Sequence, residues 1–80
     1  MRGGSDQPVE VVLGPGLQGE GERLLRVSLP GPLPLREFLL FLGLDPRNVG
    51  PVLREGRTAS LEVTVLPGER LVLLPPLDGG

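Results

Sequence analysis

Apolar and polar residues alternate over two stretches in the first third of the chain. Pro8-Val9-Glu10-Val11-Val12-Leu13 has strand composition and partial alternation, and Gly14-Pro15-Gly16 ends it. Gly19 and Gly21 keep the next stretch in a loop. Arg23 to Leu29 reads as a second strand, with Leu25, Val27 and Leu29 on one face and Arg26 and Ser28 on the other. Two strands joined by a Gly-rich turn predict a hairpin. Beyond Pro30-Gly31-Pro32 the period changes. Leu35, Phe38, Leu39 and Leu42 fall at i, i+3, i+4 and i+7, one face of a helix, with Arg36 and Glu37 off that stripe. Pro34 suits the first helical turn, where its missing N–H costs nothing. Gly43 suits the left-handed position after a helix, and Leu44 supplies the apolar contact that accompanies it. The pattern predicts a helix of about ten residues, roughly 15 Å long. Its stripe reads as core, and Leu40 and Phe41 are less clearly buried.

The second half returns to extended patterns. Asp45-Pro46, Asn48 and Gly50 form a turn region. Val49 to Arg54 predicts a third strand, with Pro51 demanding an edge or an irregular start. Glu55-Gly56 signals a tight turn. Arg57 to Val65 gives a short strand or extended loop in which Leu61, Val63 and Val65 alternate. Pro67-Gly68-Glu69 is a turn. Arg70 to Leu74 is apolar on both faces, which predicts a strand in the middle of the sheet. The order strand, strand, helix, strand, short strand, strand predicts an α+β domain with the helix on one face of the sheet, serving as the crossover between parallel neighbours. The expected organisation is a flexible N-terminus over 1–7, one domain over 8–75 and a flexible tail over 76–80.

Composition narrows the chemistry. With 80 residues there is room for one small domain and little room for a deep cleft. The sequence has no Cys, which excludes disulfides and thiolate sites, and no His, which removes the usual general base and the commonest metal ligand. Ser5, Ser28, Ser60, Thr58 and Thr64 have no side-chain base of the ordinary kind to activate them. An enzyme acting through its own side chains is not expected, nor is a metal site. The net charge of −2 and the presence of only Phe38 and Phe41 as aromatics argue against direct nucleic-acid binding. The longest apolar run, Leu39 to Leu42, is far short of a membrane span. A small secreted domain often needs disulfide staples, so the absence of Cys leads to the cytoplasm as the expected location, and Met1 to Ser5 lack the apolar stretch of a signal peptide. All eight basic residues are Arg, and Lys is absent. No side-chain amine or thiol of this chain can therefore attack an activated carbonyl on it.

The last residues carry the sharpest expectation. Pro75 and Pro76 remove two ladder donors and hold the chain stiff and extended, so the sheet must stop there. The six residues Pro75 to Gly80 reach at most about 20 Å. Gly79 and Gly80 carry no side chains, so a terminal carboxylate could enter a narrow channel. Because 13 of the residues are Gly, a Gly-Gly ending alone says little. Following a strand that stops in Pro-Pro, it becomes more specific.

Several segments resemble the β-grasp sulfur carriers, relatives of ubiquitin that include the thiamine type (ThiS) and the small subunit of molybdopterin synthase (MoaD). The stretch from Leu33 to Pro46 is similar to the helix and turn of the thiamine type. Leu66-Pro67-Gly68-Glu69-Arg70-Leu71-Val72-Leu73-Leu74 is similar to the family's last turn and strand. Pro75-Pro76-Leu77-Asp78-Gly79-Gly80 is closer to the molybdopterin type. Leu53-Arg54-Glu55-Gly56 sits at the family's hairpin turn, with Glu-Gly in place of the usual Asn-Gly.

The resemblance implies a ubiquitin-like β-grasp fold, a mixed sheet of four to five strands packed on one helix. It also implies a function. An ATP-dependent activating enzyme of the ThiF/MoeB type would adenylate the Gly80 carboxylate, with Gly79 beside it. A sulfur donor of the cysteine desulfurase or rhodanese type would displace AMP and leave a thiocarboxylate. A downstream synthase or a transfer-RNA thiolation step would take the sulfur. The chain itself would bind no cofactor. Partner recognition is expected on the sheet face away from the helix, through Val72 and Leu74 with Leu53 or Val52, and along Pro75, Pro76 and Leu77. Two other readings are open: a ubiquitin-type modifier joined to lysines through Gly80, and a passive β-grasp binding module.

Overall fold

A computed structural model describes residues 7–17 and 21–76. Strands β1 (Val9–Leu13) and β2 (Arg23–Val27) form the expected antiparallel hairpin, with Val9 opposite Val27 and Leu13 opposite Arg23. Val9, Val11 and Leu13 are buried, while Glu10 and Val12 stand on the other face, as the strand period dictates. β2 stops two residues short of the expected Leu29. The next pair would place Ser28 opposite Pro8, which has no N–H to donate.

A short strand, β3 (Leu33–Pro34), leads directly into helix α1 (Leu35–Phe41). The helix has seven residues, fewer than the expected ten, and Pro34 occupies its N-cap instead of its first turn. No side chain caps that end. The backbone N–H groups of Leu35 and Arg36 instead donate to the carbonyls of Val63 and Leu61, at 2.8 and 3.0 Å. The helix start is thus satisfied by a segment far away in sequence, which local pattern does not reveal. At the other end Leu42 is the C-cap and Gly43 takes φ 83°. Gly43 N–H donates to Leu40 O, and Leu44 N–H to Leu39 O, each at 2.9 Å. This pair of bonds is the Schellman arrangement that Gly43-Leu44 predicts. Leu35, Phe38 and Leu39 are fully buried, whereas Leu40 and Phe41 are exposed.

Asp45 caps a 3₁₀ turn over Pro46–Asn48, accepting from Arg47 N–H at 2.9 Å. The Arg47 guanidinium and this N–H hold the Asp45 carboxyl below its ordinary pKa, so the cap is charged at neutral pH. Strand β4 (Val52–Arg54) covers only the second half of the expected 49–54 segment, because Val49 closes the 3₁₀ turn and Pro51 cannot donate. Glu55 and Gly56, at φ 54° and 79°, make the tight turn into β5 (Arg57–Thr58). The stretch from Arg57 to Val65 is not one strand. It breaks into β5, an irregular loop and β6 (Thr64–Val65), which pairs with β3 in a two-stranded ribbon.

Strand β7 (Arg70–Leu73) lies between β1, to which it is parallel, and β4, to which it is antiparallel. The sheet order is β2-β1-β7-β4-β5, and the helix side holds Phe38, Leu39, Leu71 and Leu73 in one apolar cluster. Two hairpins flanking a central strand, with one helix on one face, make this the ubiquitin-like β-grasp fold. Among the described residues no helix is long and apolar enough to cross a membrane.

The two neighbouring aromatic positions of α1 give opposite expectations. Phe38→Ala removes a fully buried ring and is expected to cost about 3–5 kcal/mol. Phe41→Ala, at a site 56% exposed, is expected to change stability by less than about 0.5 kcal/mol. Denaturant unfolding of both variants checks this, and equal losses would place the helix at the wrong rotation.

Candidate functional site

Register across the sheet assembles a feature that single strands do not show. Val72 of β7 pairs with Leu53 of β4 on one side and with Val12 of β1 on the other. Val12 in turn pairs with Leu24 of β2, and Leu53 with Thr58 of β5. Leu24, Val12, Val72 and Leu53 therefore form an apolar row crossing four strands on the face opposite the helix. Val12, Val72 and Leu53 are half-buried and Leu24 is 54% exposed. The adjacent row is charged. Glu10 is in register with both Arg26 and Arg70 and lies 3.6 Å from the Arg26 guanidinium. An apolar strip rimmed by charges has the composition of a protein contact surface. Leu53 and Val72 also line a shallow groove of about 470 Å³, walled by Arg54, Glu55, Glu69 and Arg70.

Sequence reasoning reached only the middle of this row. Val72 and Leu53 lie directly opposite each other. Val52, offered as an alternative to Leu53, is buried on the helix side opposite Leu73 and does not belong to the face. Val12 and Leu24 were missed. The signal lay in Val11-Val12, where an apolar residue occupies the polar phase of β1, and in Leu24-Leu25, where both phases of β2 are apolar.

The second part of the site is the end of β7. The strand stops at Leu73, one residue before the expected Leu74, but its hydrogen bonding continues. Gly14 N–H donates to Leu73 O at 2.8 Å, Leu74 N–H to Pro51 O at 3.0 Å, and Gly50 N–H to Leu74 O at 2.8 Å. Leu74 and Pro75 are half-buried and Pro76 is exposed. With no N–H at either proline, pairing ends there. Leu77, Gly79 and Gly80 lie outside the described residues.

The chemistry available on this face is contact and direction. Two of the charged groups lining the groove are engaged with each other and with backbone: Arg54 donates to Thr64 O at 3.0 Å and lies 3.6 Å from Glu69, whose carboxylate accepts from Leu66 N–H at 3.0 Å. Among the described residues no cluster of three or more acidic side chains is placed to hold a metal ion.

No family model matches the chain, and no curated protein matches it. Among solved structures it is similar to the ubiquitin of Caldiarchaeum subterraneum, at 19% identity and a TM-score of 0.45, over 91% of this chain and 99% of that one.

The backbone amides at the strand exit give a direct check. Gly14, Gly50 and Leu74 are expected to exchange hydrogen slowly, alongside the β7 amides, while Gly31 exchanges fast. Equal exchange at all four would mean that pairing ends at Leu73.

Proposed function

We propose that this chain is a sulfur carrier whose working group is the carboxylate of Gly80. The observation that supports this reading best is the juxtaposition of two features at one end of the sheet. The central strand leaves the sheet through Pro75-Pro76, and the same strand carries Val72 in the middle of the apolar row on the face opposite the helix. A partner seated on that row would have the exit of the strand at Pro75-Pro76 beside it.

In this reading the activating enzyme docks on Leu24, Val12, Val72 and Leu53 and receives the segment Leu77-Asp78-Gly79-Gly80. The Gly80 carboxylate attacks the α-phosphorus of ATP and pyrophosphate leaves. The acyl adenylate so formed has a good leaving group where a free carboxylate has none. The terminal sulfur of a donor persulfide attacks the acyl carbon and AMP leaves, giving an acyl disulfide. A thiol then cleaves its S–S bond, is itself oxidised to a disulfide with the donor's sulfur, and releases the thiocarboxylate for a downstream synthase or thiolation step. The carrier contributes recognition and positioning. Its lack of Lys and Cys keeps the activated carbonyl from being consumed by its own side chains.

The test is ATP–pyrophosphate exchange with activating enzymes of the adenylating class, using the chain ending at Gly80 and a variant with one residue added after it. Exchange with the first and none with the second is the expected result. Equal exchange with both, or with neither, contradicts Gly80 as the site. Val72→Asp, in the middle of the docking row, is expected to raise the KM for the chain at least tenfold with kcat little changed.

A further inference from the structure

Gly50 has no conformational reason to be glycine. Its φ is not in the positive range that favours the residue, unlike Gly16 at 96° on the opposite side of the exit. Space is what demands it. A Cβ on Gly50 would lie 2.7 Å from the Pro75 carbonyl carbon and 2.9 Å from Pro76 Cα, with the Pro75 carbonyl oxygen closer still. All three are backbone atoms of the exit segment, which cannot swing aside as the tip of a side chain can. The opposite wall is also glycine. A Cβ on Gly14 would lie 3.3 Å from both Leu73 O and Pro75 Cδ, and one on Gly16 would lie 3.7 Å from Pro75 Cβ. Pro75 therefore runs through a notch with Gly14 and Gly16 on one side and Gly50 on the other. The Gly50 N–H bond to Leu74 O fastens the segment one residue earlier.

We propose that this notch is a guide that fixes the direction in which Pro76 and the residues after it leave the sheet, with Gly50 as its positioning residue. The proposal rests on the reading of Gly80 as the reacting terminus. A docking face and a reacting end separated by a loose hinge would seldom meet the partner together. A backbone seated between glycines at Pro75 and continued by a second proline fixes where the segment leaves relative to the docking face. The four residues Leu77 to Gly80 can span at most about 14 Å, so the exit at Pro75 sets the region their carboxylate can reach. Displacements of about 1 Å can cost a reaction roughly a hundredfold.

The experiment compares Gly50→Ala with Gly31→Ala in the full chain. The control adds a Cβ with nothing within 4 Å. In Gly50→Ala the amide signals of Gly14, Gly16 and Leu74 are expected to move while those of α1 and β2 stay. With the activating enzyme that adenylates the wild-type chain, kcat for exchange is expected to fall at least tenfold and KM to stay within twofold. Gly31→Ala is expected to match wild type. A purely structural role would lower the folded fraction and raise the apparent KM without that fall in kcat. If Gly50→Ala fails to fold, Gly14→Ala, whose neighbours need give only a few tenths of an ångström, is expected to show the same split in milder form. Unmoved Gly14 and Leu74 signals would overturn the notch itself. Moved signals with unchanged kcat would overturn the guide and leave the carrier reading intact. A wild-type chain that no such enzyme adenylates, yet whose exit signals move in Gly50→Ala, would overturn the carrier reading and the guide together while leaving the notch.

Discussion

The pairing of β7 with two neighbours at once is the constraint on which the rest of the molecule depends. Leu71 and Leu73 are fully buried on the helix side, each contributing roughly 1.5–3 kcal/mol through burial. Their insertion fixes the register against β1 and β4. Because side chains alternate, the same register sets Val72 on the opposite face between Val12 and Leu53. A slip of one residue would bury Arg70 and Val72 and expose both leucines, so core and surface are specified by a single choice. The parallel pairing with β1 also points the chain away from the sheet at the end where β1 runs into the Gly14-Pro15-Gly16 turn.

Beyond Leu73 the ladder comes to a controlled stop. Hydrogen bonds from Gly14 and Gly50, on opposite sides, reach the Leu73 and Leu74 carbonyls, and the two prolines then offer no N–H. An exposed edge that continued would invite another strand to pair with it. Ending the ladder chemically stops the pairing at the prolines without loosening β7. The three glycines around Pro75 allow this close passage, because any side chain at Gly50 would meet backbone.

The sequence was most legible where local chemistry decides the outcome. The i, i+3, i+4 stripe of Leu35, Phe38 and Leu39, the Gly43-Leu44 helix stop, the Glu55-Gly56 turn and the doubly apolar β7 all arise from periodicity and turn chemistry. It was least legible where distant segments meet. The helix start is capped by Val63 and Leu61 carbonyls, so its length could not be read from Pro34. The ribbon of β3 and β6 joins segments far apart in the chain, Leu33–Pro34 with Thr64–Val65. The apolar row was half legible. Val72 and Leu53 could be inferred from neighbouring strands, but Val12 and Leu24 join them only through the parallel register of β1 with β7. Val52 was misassigned as an alternative because a three-residue strand gives too little alternation to set its phase.

The central proposal is that the carboxylate of Gly80 carries sulfur. Intact-mass measurement on the protein isolated from its native cells tests this most directly. The account predicts a population in which one C-terminal oxygen is replaced by sulfur, lost on treatment with a thiol-alkylating reagent in favour of the alkylated species. Protein found only with an unmodified end, or joined through Gly80 to lysines of other proteins with no sulfur-bearing form, would contradict it.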